Sequence, residues 1–172
     1  MENSRGFTLV ELLVTMALVA ILLAVGIPSY QSITTSNRMA GEMNALIGDL
    51  QVARSEAVKQ GLTVTICPSN STAAPYACSN SSNWSGGWVI FVGVSSATSS
   101  NPLRLQPSLG GTDVLQSNST TAVQAVSFNR NGFSTNTGSI TLNDANSTVD
   151  RRRCAVIAAA GRISLQSGST CP

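Results

Sequence analysis

Glu11 lies near the start of the apolar run 7–27, where a charged residue is unexpected. From Leu12 to Ile27 the only polar side chain is that of Thr15. A carboxylate in the lipid interior costs roughly 2.5–3.5 kcal/mol on insertion scales. A glutamate at this position therefore requires a partner that offsets the cost, and a cationic group would supply one.

The other residue types argue against catalysis. The sequence contains no histidine, which removes Ser-His-Asp and Cys-His systems as well as the commonest metal ligand. Its 8 acidic residues are scattered along the chain. No glycine-rich phosphate loop follows a strand and opens a helix. We therefore expect a protein that is not an enzyme and that has no cofactor or metal site.

The four cysteines form an even set with no C-x-x-C spacing, so disulfides are a better interpretation than a zinc site. Four cysteines allow three connectivities. We favour the local one, because short loops between strand ends close easily. The favoured pairs are Cys67–Cys78 and Cys154–Cys171.

Arginines supply the positive charge of the C-terminal part. Beyond residue 30 there are nine basic and six acidic residues, a net charge of +3 that is too small to indicate nucleic acid by itself. The triplet Arg151, Arg152 and Arg153 is the densest cluster, and Arg162 follows shortly after. It is either a solvated strand start or a phosphate-binding patch, since arginine grips phosphate in a fixed fork.

Two tryptophans, Trp84 and Trp88, flank the segment 85–87. An exposed tryptophan could stack on nucleic-acid bases. A tryptophan beside a central strand belongs more often to the core, which is the interpretation that we favour for Trp88.

A membrane-spanning helix is the element that must position Glu11. The 21 residues of 7–27 would span about 31 Å as a helix, which matches a bilayer core. Beyond them Pro28 is expected to bend or interrupt the helix. An apolar stripe then continues the pattern to a C-cap at Gly61, so one helix is predicted from about residue 7 to 60. The stripe consists of Met39, Met43, Leu46, Leu50, Ala53 and Ala57.

After Gly61 the pattern becomes that of β-strands, which makes the predicted class α+β with an antiparallel sheet. Stretches rich in Ser, Thr, Asn and Gly are interpreted as surface loops, at 68–86, 95–101 and 129–148. The predicted strands are 62–67, 87–94, 112–117, 122–128, 138–142, 154–158 and 162–165.

The N-terminal sequence Gly6-Phe7-Thr8-Leu9-Val10-Glu11 resembles the class III signal of type IV pilins and type II secretion pseudopilins. The resemblance implies that a prepilin peptidase cuts the Gly6–Phe7 bond and methylates the new amine of Phe7. It also implies that the cationic amine of a neighbouring subunit is the partner of Glu11. Such a pair fixes register, since one charge without the other is strongly penalised.

Later segments resemble the GspH/FimT group of minor pilins and pseudopilins. They are QVARSEAVKQGLTVTICPS, WSGGWVIFV and the late AAGRISL. The family fold is a long N-terminal helix packed on antiparallel β-sheet. The implied organisation is a leader at 1–6, a transmembrane and assembly helix at 7–29 and a periplasmic domain at 30–172, in a single-pass protein of the inner membrane.

Three functions follow from this resemblance. The first is a minor pilin that helps to initiate a type IV pilus, with other pilin subunits and the prepilin peptidase as partners. The second is a minor pseudopilin of a type II secretion system. The third is DNA binding for natural transformation, because FimT-type pilins use a Gly-Arg-x-Arg segment. Here the stretch is Gly161-Arg162-Ile163-Ser164, so Ser164 stands where that segment has its second arginine.

Overall fold

The protein is described from a computed structural model, which covers residues 7–71, 73–117 and 123–171. The chain divides into two compact units, the second of which begins at Arg38. Helix α1 (Leu9–Gln60) contributes to both units. The predicted helix is confirmed, although it starts two residues later than expected. Pro28 lies inside the helix and does not interrupt it.

The first unit consists of the N-terminal part of α1, whose apolar side chains are exposed. Within the described residues, α1 is the one helix that is long and apolar enough to cross a membrane. The exposed large apolar side chains along this stretch range from Leu9, 77 % exposed, to Val14, 51 % exposed. A surface of this kind needs lipid or other helices to cover it.

Ten strands follow α1 in the described part of the second unit. They are β1 (Val64–Pro68), β2 (Tyr76–Ala77), β3 (Trp88–Val92), β4 (Thr98–Ser99), β5 (Arg104–Gln106), β6 (Val114–Ser117), β7 (Val126–Phe128), β8 (Gly138–Asn143), β9 (Arg153–Ile157) and β10 (Ile163–Ser167). They form two four-stranded sheets, in the orders β5-β3-β1-β7 and β10-β9-β8-β6, and β2 pairs with β4. All pairings are antiparallel, as predicted.

The predicted helix stripe is the centre of the core. All six of its residues are fully buried, and they share one apolar cluster with residues of both large sheets. The helix ends at Gly61, which has a φ of +69°. Its amide N–H donates a hydrogen bond to the Ala57 carbonyl (3.0 Å), and together these features form the expected C-cap. Glycine adopts this left-handed conformation without a steric penalty.

The three predicted loops were drawn too wide. Strands β2 and β4 lie inside 68–86 and 95–101, and β5 lies where no strand was expected. The third loop, 129–148, overlaps the predicted strand 138–142, which is found as β8. Strands β2 and β4 are only two residues long, which is too short to carry an apolar pattern. The predicted strand 122–128 is reduced to β7 among the described residues.

Both tryptophans are fully buried, which excludes them from base stacking. The indole N–H of Trp84 donates to the carbonyl of Val123 (3.0 Å). That of Trp88 donates to the carboxylate of Asp49 (2.7 Å). Asp49 does not belong to the predicted stripe, but it is only 2 % exposed. The indole and the arginine that it binds make its burial tolerable.

Each of three buried aspartates forms an ion pair with an arginine that is not adjacent to it in the sequence. The pairs are Asp49–Arg104 (3.1 Å), Asp113–Arg38 (2.8 Å) and Asp144–Arg151 (3.4 Å). In the second pair both nitrogens of the guanidinium fork engage the carboxylate. A buried carboxylate with such a partner is costly to disturb, since removing one charge leaves the other unpaired.

Glu42 lies one helical turn after Arg38, and its Oε2 is buried without a hydrogen bond to any described residue. Burial and the neighbouring carboxylate of Asp113 raise the pKa of Glu42, although Arg38 acts in the opposite direction. The charged form of Glu42 is therefore unfavourable in the fold.

The two disulfides join Cys67 to Cys78 and Cys154 to Cys171, the local connectivity that the sequence favours. The first ties the end of β1 to the loop after β2. The second ties β9 to the C-terminal end of the described chain. No described cysteine is free.

We expect the double variant Cys154→Ser with Cys171→Ser to lose about 3 kcal/mol of unfolding free energy. The bond closes a loop with a sequence separation of 17, and its loss releases the unfolded chain. Urea unfolding of the fragment from residue 31 onward measures the loss. The matched variant at Cys67 and Cys78, with a separation of 11, should lose slightly less. Wild-type stability in both variants would contradict the expectation.

The raised pKa of Glu42 predicts a pH-dependent stability. The folded state holds the proton more tightly, so this group stabilises the fold below its ordinary pKa and loses that contribution as pH rises through the raised value. Glu42→Gln should therefore be more stable than wild type at neutral pH and lose the advantage in acid. Urea unfolding from about pH 4 to about pH 8 measures the difference.

Glu56→Gln is the control for this prediction. Hydrogen bonds from Gln60 and Lys59 lower the pKa of Glu56, so its contribution has the opposite sign and is present above the ordinary pKa. Glu56→Gln should not gain stability at neutral pH. If the difference between Glu42→Gln and wild type is the same at every pH, the pKa of Glu42 is not shifted.

Candidate functional site

Glu11 takes part in a reciprocal set of hydrogen bonds with Thr8, just before the first turn of α1. The backbone N–H and the hydroxyl of Thr8 donate to Oε2 of Glu11 (3.3 and 3.2 Å), and the N–H of Glu11 donates to the Thr8 hydroxyl (3.3 Å). The Thr8 carbonyl accepts the first helical bond, from Leu12 (3.2 Å). This is a capping box, which satisfies amides that the helix itself leaves unpaired.

The capping box uses one oxygen of the carboxylate and leaves the other available. Among the described residues, no group donates a hydrogen bond to Oε1 of Glu11, and the residue is exposed. Glu11 can therefore hold its own helix start and accept a cation at the same time. The negative charge also lies in the first helical turn, where the helix dipole favours it.

The predicted cleavage bond lies at the boundary of the described chain. Phe7 precedes the helix and its side chain is 80 % exposed. Gly6, with the rest of the leader 1–6, lies outside the described residues. Cleavage there would place a new amine one residue before Thr8.

The candidate DNA-binding arginines fall into two groups at opposite ends of β9. Arg153 opens the strand and pairs with Ser167, whereas Arg162 lies in the turn beyond Ile157. At about 3.3 Å per residue, roughly 15 Å of strand separates them. The triplet therefore does not supply charge beside Arg162.

Two arginines of the triplet are engaged locally. The Arg152 Nε–H donates to Oδ1 of Asn143 (2.9 Å), and Arg151 contacts Asp144. Burial raises the pKa of Asp144, but the amide and hydroxyl of Thr148 together with Arg151 outweigh it and leave the pKa below its ordinary value. These contacts support the interpretation of the triplet as a structured strand start.

Sequence reasoning missed Arg54, which lies against the turn that carries Arg162. The guanidinium of Arg54, on α1, donates to the carbonyls of Gly132 (3.0 Å) and Ala160 (3.3 Å), so the turn with Arg130 meets the turn with Arg162. These contacts join residues 78 and 106 positions apart. No local sequence pattern reports a distance of that kind.

The family comparisons agree with this geometry. A family model described as "Type II transport protein GspH" matches residues 42–161, well over half of the chain. The chain belongs to the GspH family. A second model, "Prokaryotic N-terminal methylation motif", matches residues 1–27 and so includes Glu11 and the predicted cleavage bond.

Two solved structures share the fold. Both are crystal forms of the type IV minor pilin FimU of Pseudomonas aeruginosa (strain PAO1). The P21 form has a TM-score of 0.61 and 27 % identity, over 83 % of this chain and 96 % of that chain. The P65 form has a TM-score of 0.57 and 29 % identity, over 78 % and 94 %.

One curated relative matches over a short stretch. The chain is 56 % identical over 32 residues to "Prepilin peptidase-dependent protein D" of Escherichia coli (strain K12). The match covers 19 % of this chain and 22 % of the relative, so it spans about a fifth of that protein.

The fold and the family assign a role as a minor pilin or pseudopilin. The chain is therefore a pilin-type structural subunit, anchored by an apolar N-terminal helix. Its family and fold are those of structural subunits and not of enzymes. The predicted family and fold are confirmed.

Glu11→Gln and Glu11→Ala separate the two roles of this carboxylate. Glutamine keeps the capping box and removes the charge, whereas alanine removes both. Both variants should enter the membrane at least as well as wild type, because a charge is removed from lipid. Both should be depleted from filaments roughly 100-fold, since stranding one charge of a buried pair costs about 3–5 kcal/mol.

Immunoblots of sheared filaments and of membranes measure the two pools, and mass spectrometry of the N-terminus controls for processing. Normal incorporation of Glu11→Gln would show that charge pairing is not what places this subunit. Loss in the alanine variant alone would assign the role to the helix cap.

Proposed function

We propose that the protein is a minor pilin of a type IV pilus, acting as a structural subunit that helps to initiate assembly. The observation that carries this proposal is the likeness to the minor pilin FimU over 96 % of that chain. The free oxygen of Glu11 and the exposed apolar face of α1 give it a physical basis, because both need partners that a filament would supply.

Processing at Gly6–Phe7 is the first step of the proposed function. The prepilin peptidase removes the leader 1–6 and methylates the amine of Phe7. The match to the methylation motif and the name of the Escherichia coli relative, a prepilin peptidase-dependent protein, support this step. The helix 7–29 then anchors the subunit in the inner membrane, and residues 30–172 form the periplasmic domain.

Assembly exchanges lipid for protein around α1. In the membrane the capping box holds the Glu11 carboxylate against Thr8. In the filament the free Oε1 accepts the amine of Phe7 from a neighbouring subunit. The pair forms in an apolar bundle, where an unpaired charge is heavily penalised, so only the register that joins amine and carboxylate is stable.

A minor pseudopilin of a type II secretion system is the second candidate. The description of the matching family model, a type II transport protein, favours it directly. The two functions share the leader, the anchor and the assembly chemistry. They differ in the machinery that the subunit joins, which the chemistry of this chain does not specify.

DNA binding for natural transformation receives less support. Arg162 is exposed, but Ser164 replaces the second arginine of the Gly-Arg-x-Arg segment and the triplet of Arg151, Arg152 and Arg153 lies at the other end of β9. Few phosphates could be contacted at once, which leaves ordinary non-specific affinity.

Deletion of the gene with three readouts tests the proposed function. Piliation and twitching, secretion of exported proteins, and DNA uptake are measured in the same strain. We expect piliation and twitching to fall and secretion to stay normal, with restoration by the wild-type gene but not by Gly6→Val. Lost secretion with normal pili would favour the pseudopilin, and lost DNA uptake with normal pili would favour the third role.

A further inference from the structure

A rigid turn presents an exposed aromatic side chain between β7 and β8. The Oδ1 of Asn129 accepts the amides of Asn131 (2.9 Å) and Phe133 (3.1 Å). The Asn129 carbonyl accepts the amide of Gly132 (2.8 Å), and the Phe133 carbonyl accepts that of Asn129 (3.0 Å). The turn is therefore fixed by its own hydrogen bonds, although Phe133 is 50 % exposed.

A second turn, between β9 and β10, is locked against the first. The amide of Ser134 donates to the Ala159 carbonyl (3.0 Å), and the Arg54 guanidinium bridges the two turns. Gly161 has a φ of +72°, and a Cβ there would collide with the carbonyl of Gly132. The two turns and the helix end therefore behave as one preorganised surface.

This surface combines apolar groups with uncommitted cations. We call Arg54, Val58, Arg130, Phe133 and Arg162 the Phe133 surface. Val58 is 54 % exposed, and its side chain lies beside the first turn, within contact distance of a Cβ built on Gly132 (3.2 Å). The side chains of Arg130 and Arg162 are exposed and form no hydrogen bond or ion pair with any residue that the structure describes.

A groove on α1 extends the Phe133 surface. Its volume is about 520 Å³, and its lining consists of Gln51, Arg54, Ser55, Val58 and Lys59. Lys59 is already paired with Glu56 (3.2 Å). Aromatic residues and arginines flanked by neutral polar groups are typical of the energetic centre of a protein interface. A surface that is already rigid also loses little entropy on binding.

The charge of the surface selects its occupant. A second copy of this chain is a poor fit, because Asp150 is its one exposed carboxyl residue among the described residues from 38 onward. Asp150 directly precedes the three arginines 151–153, so its neighbourhood is positive. Nucleic acid is also a poor fit, since two uncommitted arginines give few phosphate contacts and little affinity at physiological salt.

We propose that the Phe133 surface binds an acidic, partly apolar segment of a different protein subunit. Phe133 and Val58 contact the apolar part of that segment, while Arg130 and Arg162 pair with its carboxylates. The surface belongs to the folded domain and not to the N-terminal residues that the proposed filament assembly uses. The proposal therefore does not depend on whether the subunit joins a pilus or a pseudopilus.

Site-specific photocrosslinking in the full-length protein tests this proposal. Phe133 is replaced by p-benzoylphenylalanine in cells that assemble the protein, and Val149, also exposed, is replaced in the control. We expect crosslinking from position 133 to a protein peptide that contains Asp or Glu. Adding Arg130→Glu or Arg162→Glu should reduce the yield roughly tenfold, whereas Arg130→Lys and Arg162→Lys should retain most of it.

A charge exchange completes the test. Converting the crosslinked acidic residue of the partner to arginine should restore the yield with Arg130→Glu. The proposal is wrong if position 133 gives no product, a product with a second copy of this chain, a nuclease-sensitive product, or a yield that charge reversal does not change. The filament fraction is probed in parallel. A subunit that enters filaments but gives no crosslink contradicts the proposal about the Phe133 surface and leaves the proposed function intact.

Discussion

One face of α1 serves as the core for two separate sheets. The buried stripe that begins at Met39 lies in the same apolar cluster as Ile66 and Ile90 of the first sheet and as Ile140 and Ala155 of the second. Burial of each such side chain contributes about 1.5–3 kcal/mol. The sheets have no strand in common, and this helix packs against both of them. The length of α1 is therefore a structural requirement of the domain as well as of the anchor.

The same helix explains how much of the fold the sequence could predict. The stripe, the C-cap at Gly61 and the apolar strands carry local patterns of period 3.6 or 2, and they were found where expected. Strand β5 was missed because its residues are exposed or half-buried and include Arg104. The burial of Asp49 could not be predicted, because its partner Trp88 is 39 positions away and a periodicity argument does not detect such a contact.

The two candidate sites differ in the same way: one is local in sequence and the other depends on contacts between distant residues. The signal around Glu11 is contiguous in sequence, so both its chemistry and its capping box could be expected from Thr-x-x-Glu spacing. The surface around Phe133 unites Arg54 with turns that follow much later in the chain, which only the folded structure brings together. Arg162 was singled out because it matches part of the Gly-Arg-x-Arg motif. In the structure its turn lies against Arg54, whereas the triplet 151–153 lies at the other end of β9.

Pairing with arginine allows three aspartates to be buried in the folded domain. The formal charge of the whole chain is only +2, but the carboxylates of Asp49, Asp113 and Asp144 lie inside and face inward-directed arginines. Arginine suits this task because its fork satisfies both oxygens of a carboxylate. Three of the six acidic residues beyond residue 30 are enclosed in this way, and each is neutralised by one arginine. The pairs therefore leave the net charge unchanged. Arg130 and Arg162 are exposed and have no carboxylate partner among the described residues, and the proposed acidic partner would supply one.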